Sequence, residues 1–415
     1  EITIGDWSSD VCSSDLLRCA VQNYHWGKKG SRSVVAELKK DGDPSFQIKE
    51  TEPYAEYWFG THPSGPSEVL VDGKYELLKT FLEAHPEMLG QSKGLERREL
   101  PFLSKVLSVD TALSIQAHPD KKLAEILHAK KPDMYKDDNH KPEMAYALDD
   151  FVAMCGFRPA EEIAQNLRSC TYLRNLIGAS LCEEFEKAVT AHTDVKPSLQ
   201  KLFTAFIEAS PSHVQTQLDG MKSYLASKSS LTFEEQWIAK LLSQYPTDAG
   251  VFAPLLLNVL TLHKGDAIYL GADIPHAYLS GDIVETMACS NNVVRAGLTP
   301  KTIDKETLVS MLTYEDGPVT VLHGEKRSEE YAVVETPAEE FMIEVITVKK
   351  GERFTIPVIP VPRVLIWYQG RGVVEESRYQ RGAILFQAAG DERTIVAEED
   401  VVVYATHEKC LSVCW

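Results

Sequence analysis

Short hydrophobic runs separated by turn residues characterise the chain from Leu17 to about Leu82. The intervening segments contain Gly, Pro and Ser, as in residues 26–32 and 60–67. Short runs bounded in this way are typical of β-strands. The pattern therefore predicts that the first part of the chain is rich in β-structure.

Two further strand-like runs lie within residues 101–118, and a short helix is expected directly after them. Asp120 precedes the helical residues and is a favourable N-cap. Three hydrophobic residues that follow it are spaced to share one helix face, namely Leu123, Ile126 and Leu127.

Between about Ala160 and Tyr245 the hydrophobic residues recur every three or four positions, which is the helical period. Thr232 and Glu235 form a capping-box pattern in front of the last of these repeats. We expect four helices, which together make an inserted helical domain at residues 159–249.

Strand-like runs return after the helical segment and continue to the end of the chain. The first of them is residues 254–262, and regularly spaced short strands suggest a sandwich or a barrel. We assign residues 17–158 and 250–325 to one discontinuous β-domain and residues 326–415 to a terminal β-domain. The predicted fold class is mainly β with an inserted α-helical domain.

The N-terminal residues 1–16 differ from the rest of the chain, because they are rich in Ser and Asp and show neither strand nor helix periodicity. We interpret them as a non-native or disordered extension and exclude them from the fold.

Composition and charge narrow the class of protein. The net charge of -18 over 415 residues argues against nucleic acid as a partner, because phosphate backbones are bound through basic surfaces. The eight cysteines form no CxxC motif, which indicates a reducing compartment, and no apolar run is long enough to cross a bilayer. These features predict a cytoplasmic protein that does not associate with membranes. The oligomeric state is left open, with a monomer as the expectation.

Four polar residues are candidate ligands of a divalent ion. Gln116 and His118 are two residues apart in a strand-like run, so both side chains are expected on one face. Glu143 and His276 each follow a proline that restricts the local backbone. Two histidines, a carboxylate and an amide oxygen suit a borderline divalent ion. Taken alone, Gln116 and His118 are better explained as ordinary residues of a half-buried strand, and Glu143 and His276 as solvated loop residues. Sequence spacing does not show that the four converge.

Eight sequence blocks resemble the type I mannose-6-phosphate isomerases, a zinc-dependent cupin family. The blocks occur in order along the chain at residues 22–27, 54–67, 100–109, 113–121, 139–145, 155–159, 265–288 and 292–301. The resemblance implies a cupin-type β-barrel catalytic domain, an inserted helical domain and a C-terminal jelly-roll-like domain. It also implies interconversion of mannose 6-phosphate and fructose 6-phosphate, which supplies mannose phosphate for GDP-mannose synthesis.

The same resemblance implies site residues and a cofactor. One Zn²⁺ ion per chain is expected, and its implied ligands are Gln116, His118, Glu143 and His276. Arg295 matches the active-site arginine of the family.

Further candidates follow from the chemistry of a sugar phosphate. The reaction requires proton transfer through an enediol(ate), and the candidate proton carriers are His140, Lys141 and Glu285. Lys, Arg and hydroxyl groups favour phosphate, so the candidate substrate-binding residues are Lys105, Ser114 and Lys301. Each of these residues is equally compatible with a structural or surface role.

One departure and two alternatives remain. Asn291 stands where relatives commonly carry Asp, so a negative charge is missing four residues before Arg295.

A cupin iron oxygenase would use His118, His276 and Glu143 as a two-histidine, one-carboxylate site. A sugar-phosphate-binding protein without turnover is the other alternative.

Overall fold

The computed structural model describes residues 16–410. Of the predicted N-terminal extension, residues 1–15 lie outside this range, and Leu16 belongs to the fold. The carbonyl oxygen of Leu16 accepts a hydrogen bond of 3.0 Å from the Leu70 amide, and Leu16 forms a β-bridge with Leu385. Leu16 therefore pairs with the β-structure, and the predicted extension otherwise lies outside the described residues.

Within residues 16–410 the chain forms 24 β-strands. In chain order they are β1 (Leu17–Arg18), β2 (Ala20–Gln22), β3 (Glu56–Phe59), β4 (Glu68–Val71), β5 (Lys74–Leu77), β6 (Phe102–Val109), β7 (Ile115–Ala117), β8 (Glu143–Ala147), β9 (Phe151–Phe157), β10 (Leu257–Leu262), β11 (Asp266–Leu270), β12 (His276–Ala288), β13 (Val294–Gly297), β14 (Leu322–His323), β15 (Glu325–Lys326), β16 (Tyr331–Val334), β17 (Met342–Val348), β18 (Arg353–Ile356), β19 (Arg363–Gln369), β20 (Arg371–Val374), β21 (Ser377–Gln380), β22 (Ile384–Gln387), β23 (Arg393–Ala397) and β24 (Val401–His407).

The same range contains ten α-helices. They are α1 (Val34–Gly42), α2 (Leu78–Ala84), α3 (Lys121–Lys130), α4 (Ala160–Ser169), α5 (Thr171–Ile177), α6 (Ala179–Thr190), α7 (Lys196–Glu208), α8 (Pro211–Ser227), α9 (Phe233–Gln244) and α10 (Lys305–Met311). Short 3-10 helices lie at Gly30–Arg32, Pro86–Leu89, Lys93–Leu95 and Ala249–Leu255. None of these helices, all within residues 16–410, combines the length and hydropathy needed to cross a membrane. The mainly β architecture with a helical insertion is confirmed.

One compact unit comprises Val109–Ile283 and Ser290–Val321. In it, antiparallel strands pair in the order β10, β9, β12, β7 and β13, and β11 pairs with β8. Helices α4 to α9 contribute about half of the buried residues of its hydrophobic core, in which Phe157 contacts Phe203 edge to face. This unit carries the candidate metal ligands.

The other unit comprises the described residues up to Ser108, together with Val284–Cys289 and the described residues from Leu322 onwards. Its C-terminal part contains a six-stranded sheet in the order β15, β16, β17, β24, β19 and β22 and a four-stranded sheet in the order β18, β23, β20 and β21. Residues of both sheets, such as Trp367 and Ile395, share one buried core. The β-structure of this C-terminal part agrees with the predicted fold class, whereas its assignment as a separate terminal domain stays a prediction.

Two predicted helix starts are confirmed by their capping bonds. The Asp120 carboxylate accepts a hydrogen bond of 2.7 Å from the Leu123 amide at the start of α3. At α9 the Thr232 hydroxyl accepts from the Glu235 amide, and the Glu235 carboxylate accepts from the Thr232 amide. The predicted helix face at α3 is wrong in one position, because Ile126 remains 40% exposed.

The inserted segment contains six helices where four were predicted. Helices α4, α5 and α6 follow one another with only Cys170 and Gly178 between them. Gly178 adopts a φ of 104°, which favours glycine and ends α5 without a long loop. Because no loop interrupts the hydrophobic pattern, the sequence did not separate these short helices.

Two other elements differ from the prediction. Helix α1 lies in the region predicted as β-rich, and the Ser33 hydroxyl accepts a hydrogen bond from the Ala36 amide at its start. The run at residues 254–262 begins in a 3-10 helix and becomes a strand only at Leu257, since Asp248 caps the 3-10 turn through the Gly250 amide. The predicted boundaries between catalytic, helical and C-terminal domains stay a prediction.

Candidate active site

Three buried side chains form a cluster suited to a metal ion. His118 and Glu143 are 0% exposed, and His276 is 1% exposed. His118 Nε2 lies 3.4 Å from Glu143 Oε1, and His276 Nε2 lies 3.4 Å from Glu143 Oε2. Ligands about 2.1 Å from a tetrahedral ion are about 3.4 Å apart, so this spacing fits one small divalent cation.

The elements explain how these side chains meet. His118 directly follows β7, Glu143 begins β8, and His276 begins β12. Strands β8 and β7 each lie beside β12 in the sheet. The sequence placed Glu143 and His276 in loops as the alternative to a metal site, whereas both are the first residues of buried strands.

Hydrogen bonds fix the tautomer of both histidines. His118 Nδ1 donates to the carbonyl oxygen of Asn292 at 2.7 Å, and His276 Nδ1 donates to that of Ile274 at 2.9 Å. A backbone carbonyl only accepts, so the proton resides on Nδ1 and the Nε2 lone pair is free in each neutral ring. Both Nε2 atoms and Glu143 Oε2 are buried without a hydrogen-bond partner in the described residues. This donor set matches metal-ligating histidines oriented by backbone carbonyls.

The electrostatics keep the ligand atoms available. Burial and the Lys141 ammonium lower the pKa of His118 to about 4, so the ring is neutral at physiological pH. Burial alone raises the pKa of the Glu143 carboxyl, but the Lys141 and His118 groups outweigh it and hold the pKa well below its ordinary value. Lys141 Nζ donates to Glu143 Oε1 at 2.5 Å.

Gln116 and Arg295 lie in one cross-strand row with His276. In the register of the sheet, Gln116 on β7 is directly opposite His276 on β12 and directly opposite Arg295 on β13. Residues directly opposite each other in antiparallel strands project from the same face. The predicted fourth ligand and the predicted arginine are therefore neighbours on the face that carries His276.

Arg295 is half-buried and makes no hydrogen bond or ion pair within residues 16–410. Burial lowers the pKa of its guanidinium, and no carboxylate compensates. Buried or half-buried cations are normally paired, so an unpaired guanidinium is a candidate for binding an anionic ligand.

Lys105 and Glu285 meet in the other compact unit. Lys105 Nζ lies 2.8 Å from Glu285 Oε2 and 3.5 Å from Glu56 Oε2, and all three side chains are buried. The Lys105 ammonium also lies 5.0 Å from the ring centre of Trp58. Sequence reasoning named Lys105 and Glu285 separately, but it missed Glu56, which is inconspicuous in the block at residues 54–67.

The remaining candidates are less buried. Ser114 is partly exposed one residue before β7, and His140 is partly exposed beside Lys141. Lys301 is exposed, and its backbone amide donates a hydrogen bond to the Thr299 hydroxyl. Sequence reasoning also missed the carbonyl group of Asn292, because a backbone acceptor leaves no trace in the residue type.

Comparisons with known proteins agree with this geometry. Residues 16–160 match the profile of the phosphomannose isomerase type I catalytic domain, and residues 176–257 match that of its helical insertion domain. Mannose-6-phosphate isomerase 1 of Arabidopsis thaliana is 39% identical over 94% of this chain and 92% of its own length. The Homo sapiens mannose-6-phosphate isomerase is 38% identical over 94% of this chain and 97% of its own length.

A solved structure shares the fold. The crystal structure of a zinc-bound mannose 6-phosphate isomerase is 30% identical to this chain, with a TM-score of 0.82. The match covers 96% of this chain and all of the solved one. The similarity therefore extends over nearly the whole chain and includes its C-terminal β-structure.

Proposed function

Because this chain belongs to the type I phosphomannose isomerase family, we propose that it interconverts D-mannose 6-phosphate and D-fructose 6-phosphate. The observation that carries the proposal is the convergence of three unpaired ligand atoms, His118 Nε2, Glu143 Oε2 and His276 Nε2, beside an unpaired Arg295. The cytoplasmic location and the monomeric state stay predictions.

We propose that a single zinc ion is held by His118, Glu143, His276 and Gln116. The three buried side chains offer ligand atoms within 4.8 Å of one another. The cross-strand register supports Gln116 as the fourth ligand, since it places that side chain next to His276. When bound, zinc supplies Lewis-acid polarisation of the sugar oxygens.

The protein side chains would hold the open-chain sugar and its charge. The reaction removes a proton from the carbon next to the carbonyl and returns it to the neighbouring carbon, so negative charge develops on the sugar oxygens. Arg295 offers forked donors with a permanent charge, which suits an enediolate or a phosphate. Its lack of an internal partner means that no ion pair must break before the substrate binds.

Of the three candidate proton carriers, His140 is partly exposed, whereas Lys141 and Glu285 are buried in ion pairs and are proposed here. Lys141 Nζ lies 2.5 Å from Glu143 Oε1. A proton carried by Lys141 Nζ is therefore directly beside the proposed ligands. Glu285 instead shares a buried ion pair with Lys105. Lys141→Met and Glu285→Gln distinguish them, because loss of the carrier abolishes exchange of the substrate proton with solvent.

The competing function is an iron oxygenase, which the two-histidine, one-carboxylate set alone also fits. The family match favours the isomerase, and a phosphorylated sugar gives the unpaired Arg295 guanidinium an anionic partner. A coupled assay on mannose 6-phosphate decides between them, with chelator followed by added Zn²⁺ or Fe²⁺. Activity that is lost on chelation and restored by zinc without oxygen supports the isomerase. Activity only with ferrous iron and oxygen would select the alternative, and sugar-phosphate binding without isomer exchange would indicate a non-catalytic protein.

A further inference from the structure

A carboxylate outside the ligand set lies at the centre of a polar network. Asp137 Oδ1 accepts from the Ser290 hydroxyl at 2.7 Å, and Asp137 Oδ2 accepts from the Asn291 amide at 2.7 Å. Asp137 Oδ1 also accepts from Asn292 Nδ2 at 3.2 Å and from the Asn139 amide at 3.1 Å. Four donors thus converge on one carboxylate, which has no cationic partner in the described part of the chain.

The network fixes the turn that holds His118. Asn292 is 0% exposed, and its Nδ2 also donates to the carbonyl oxygens of Asp137 and Asn139 at 2.7 and 2.9 Å. The backbone N–H of Asn292 donates to the Ser290 hydroxyl at 3.1 Å. The carbonyl oxygen of the same Asn292 accepts the Nδ1 proton of His118. The position of this carbonyl therefore depends on the contacts that Asp137 makes with Ser290 and Asn292.

The same segment leads directly to a second ligand. Asn139 is two residues before Lys141 and four before Glu143, so the bonds that fix residues 137–139 also fix the approach to strand β8. One network thereby restrains the chain next to two of the three buried ligands. A carboxylate is suited to this role, because its two oxygens accept several donors from different segments.

We propose that Asp137 is a positioning residue for His118, acting through the backbone carbonyl of Asn292. The inference rests on the proposed zinc site and adds to it a residue that does not contact the ion. Groups that orient metal-ligating histidines typically contribute about 10- to 100-fold to metal affinity. Asp137 acts one step further out, by fixing the acceptor that orients the ring.

The chemistry predicts a graded series of variants. Asp137→Ala removes all the acceptors, so we expect the zinc Kd to rise by about 10- to 100-fold. Asp137→Asn keeps one oxygen, but its NH₂ group faces donors, so we expect an intermediate rise. Ser290→Ala removes the hydroxyl that joins Asp137 Oδ1 to the Asn292 amide, and it provides a second variant should Asp137→Ala fail to fold.

The neighbouring carboxylate provides a matched control. The Asp138 side chain is 50% exposed, and within residues 16–410 its carboxylate forms only a 3.7 Å ion pair with Lys121. Asp138→Asn removes the same charge one residue away without affecting the network. We expect its zinc Kd to equal that of the unsubstituted chain.

Zinc affinity is measured on the full chain by competition with a chromophoric chelator. The visible absorption spectrum is then recorded after Co²⁺ replaces Zn²⁺. The expected result is a graded rise in Kd and an altered cobalt spectrum in Asp137→Ala. Both are measured well below the melting temperature of the metal-free variant, which should fall because buried donors lose their acceptor. At saturating zinc, KM should stay nearly constant, since Asp137 is proposed to act through the Asn292 carbonyl and not on the substrate.

Equal Kd values and identical cobalt spectra for Asp137→Ala and the unsubstituted chain would overturn the proposal. An equal weakening by Asp138→Asn would also overturn it, because a loss of surface charge would then explain the effect. If the unsubstituted chain itself binds no zinc, the proposed metal site fails before any variant is compared.

Discussion

Arg295 is predicted to contribute to turnover and not to stability, and replacing it separates the two. The side chain is half-buried, lies beside Gln116 in the sheet, and makes no ion pair within residues 16–410. Arg295→Met keeps the aliphatic stem, which packs against neighbours, and removes the charged fork. Arg295→Lys keeps the charge and removes the paired planar donors.

The magnitudes follow from these contacts. A donor directed at developing oxyanion charge contributes about 10²- to 10³-fold to kcat, which corresponds to about 2.7–4 kcal/mol. Since the guanidinium has no internal counter-ion, Arg295→Met should change the free energy of unfolding by about 0.5 kcal/mol or less, or increase it. Lysine should not restore turnover, because it lacks the fork.

Steady-state kinetics at saturating zinc and urea denaturation of the same preparations test both expectations, with zinc content as the control. A fall in kcat/KM of less than about tenfold, equivalent to about 1.4 kcal/mol, would mean that Arg295 does not stabilise the transition state. A large loss of stability in Arg295→Met would instead show that the side chain has a structural role.

The remaining predictions concern the metal, the C-terminal β-structure and a helix start. Chelation should abolish isomerase activity, zinc should restore it, and His276→Ala should weaken zinc binding sharply, as measured by metal analysis after dialysis. Although burial alone would lower the pKa of His407, the Glu344 carboxylate raises it to about 9. This stabilisation is fully present below the unfolded-state pKa of 6.5 and is lost as the pH rises through 9. Urea denaturation should show a loss on the order of 3 kcal/mol over that range, and His407→Gln should flatten it. Thr232→Ala removes the capping hydroxyl of α9 and should cost about 1 kcal/mol, whereas an unchanged urea midpoint would show that the cap contributes nothing.

The sequence predicted the parts of the fold that depend on local chemistry. Asp120 and Thr232 marked helix starts correctly, because an N-cap acts on amides within three residues. The strands of the C-terminal part were also recognisable from their hydrophobic runs. The break at Gly178 was missed, because a glycine within a continuous helical pattern does not show whether the helix ends there.

The site was predictable only as a set of residue types. Their chemistry and the family resemblance named His118, Glu143 and His276, but strand register brings them together, and register depends on long-range pairing. Nothing in the residue pattern indicated the Asn292 and Ile274 carbonyls, which set the histidine tautomers. Backbone acceptors have no signature in residue type, so this part of the site requires coordinates.

The departure at Asn291 acquires a physical context in the structure. The side chain is exposed, and its backbone amide donates to the Asp137 carboxylate. The turn before Arg295 therefore does have a negative charge beside it, because the Asp137 carboxylate comes from another segment. A second carboxylate at position 291 would lie close to the first, where like charges repel. This proximity limits the gain in activity expected from Asn291→Asp.

The net charge of -18 and an anionic substrate are compatible, because the field in a cleft depends on nearby charges more than on the total. The negative charge of Glu143 is neutralised by the Lys141 ammonium, which lies 2.5 Å away. The Glu143 carboxylate therefore does not neutralise the positive charge of Arg295. A divalent ion on the ligand set adds further positive charge in a buried region, where charge interactions are stronger than in water. With a divalent ion bound, the proposed ligand set and Arg295 would together make a locally positive site in an acidic protein. Such a charge would favour a phosphorylated sugar over a neutral one, and it would favour the enediolate, which carries one more negative charge, over the ground state.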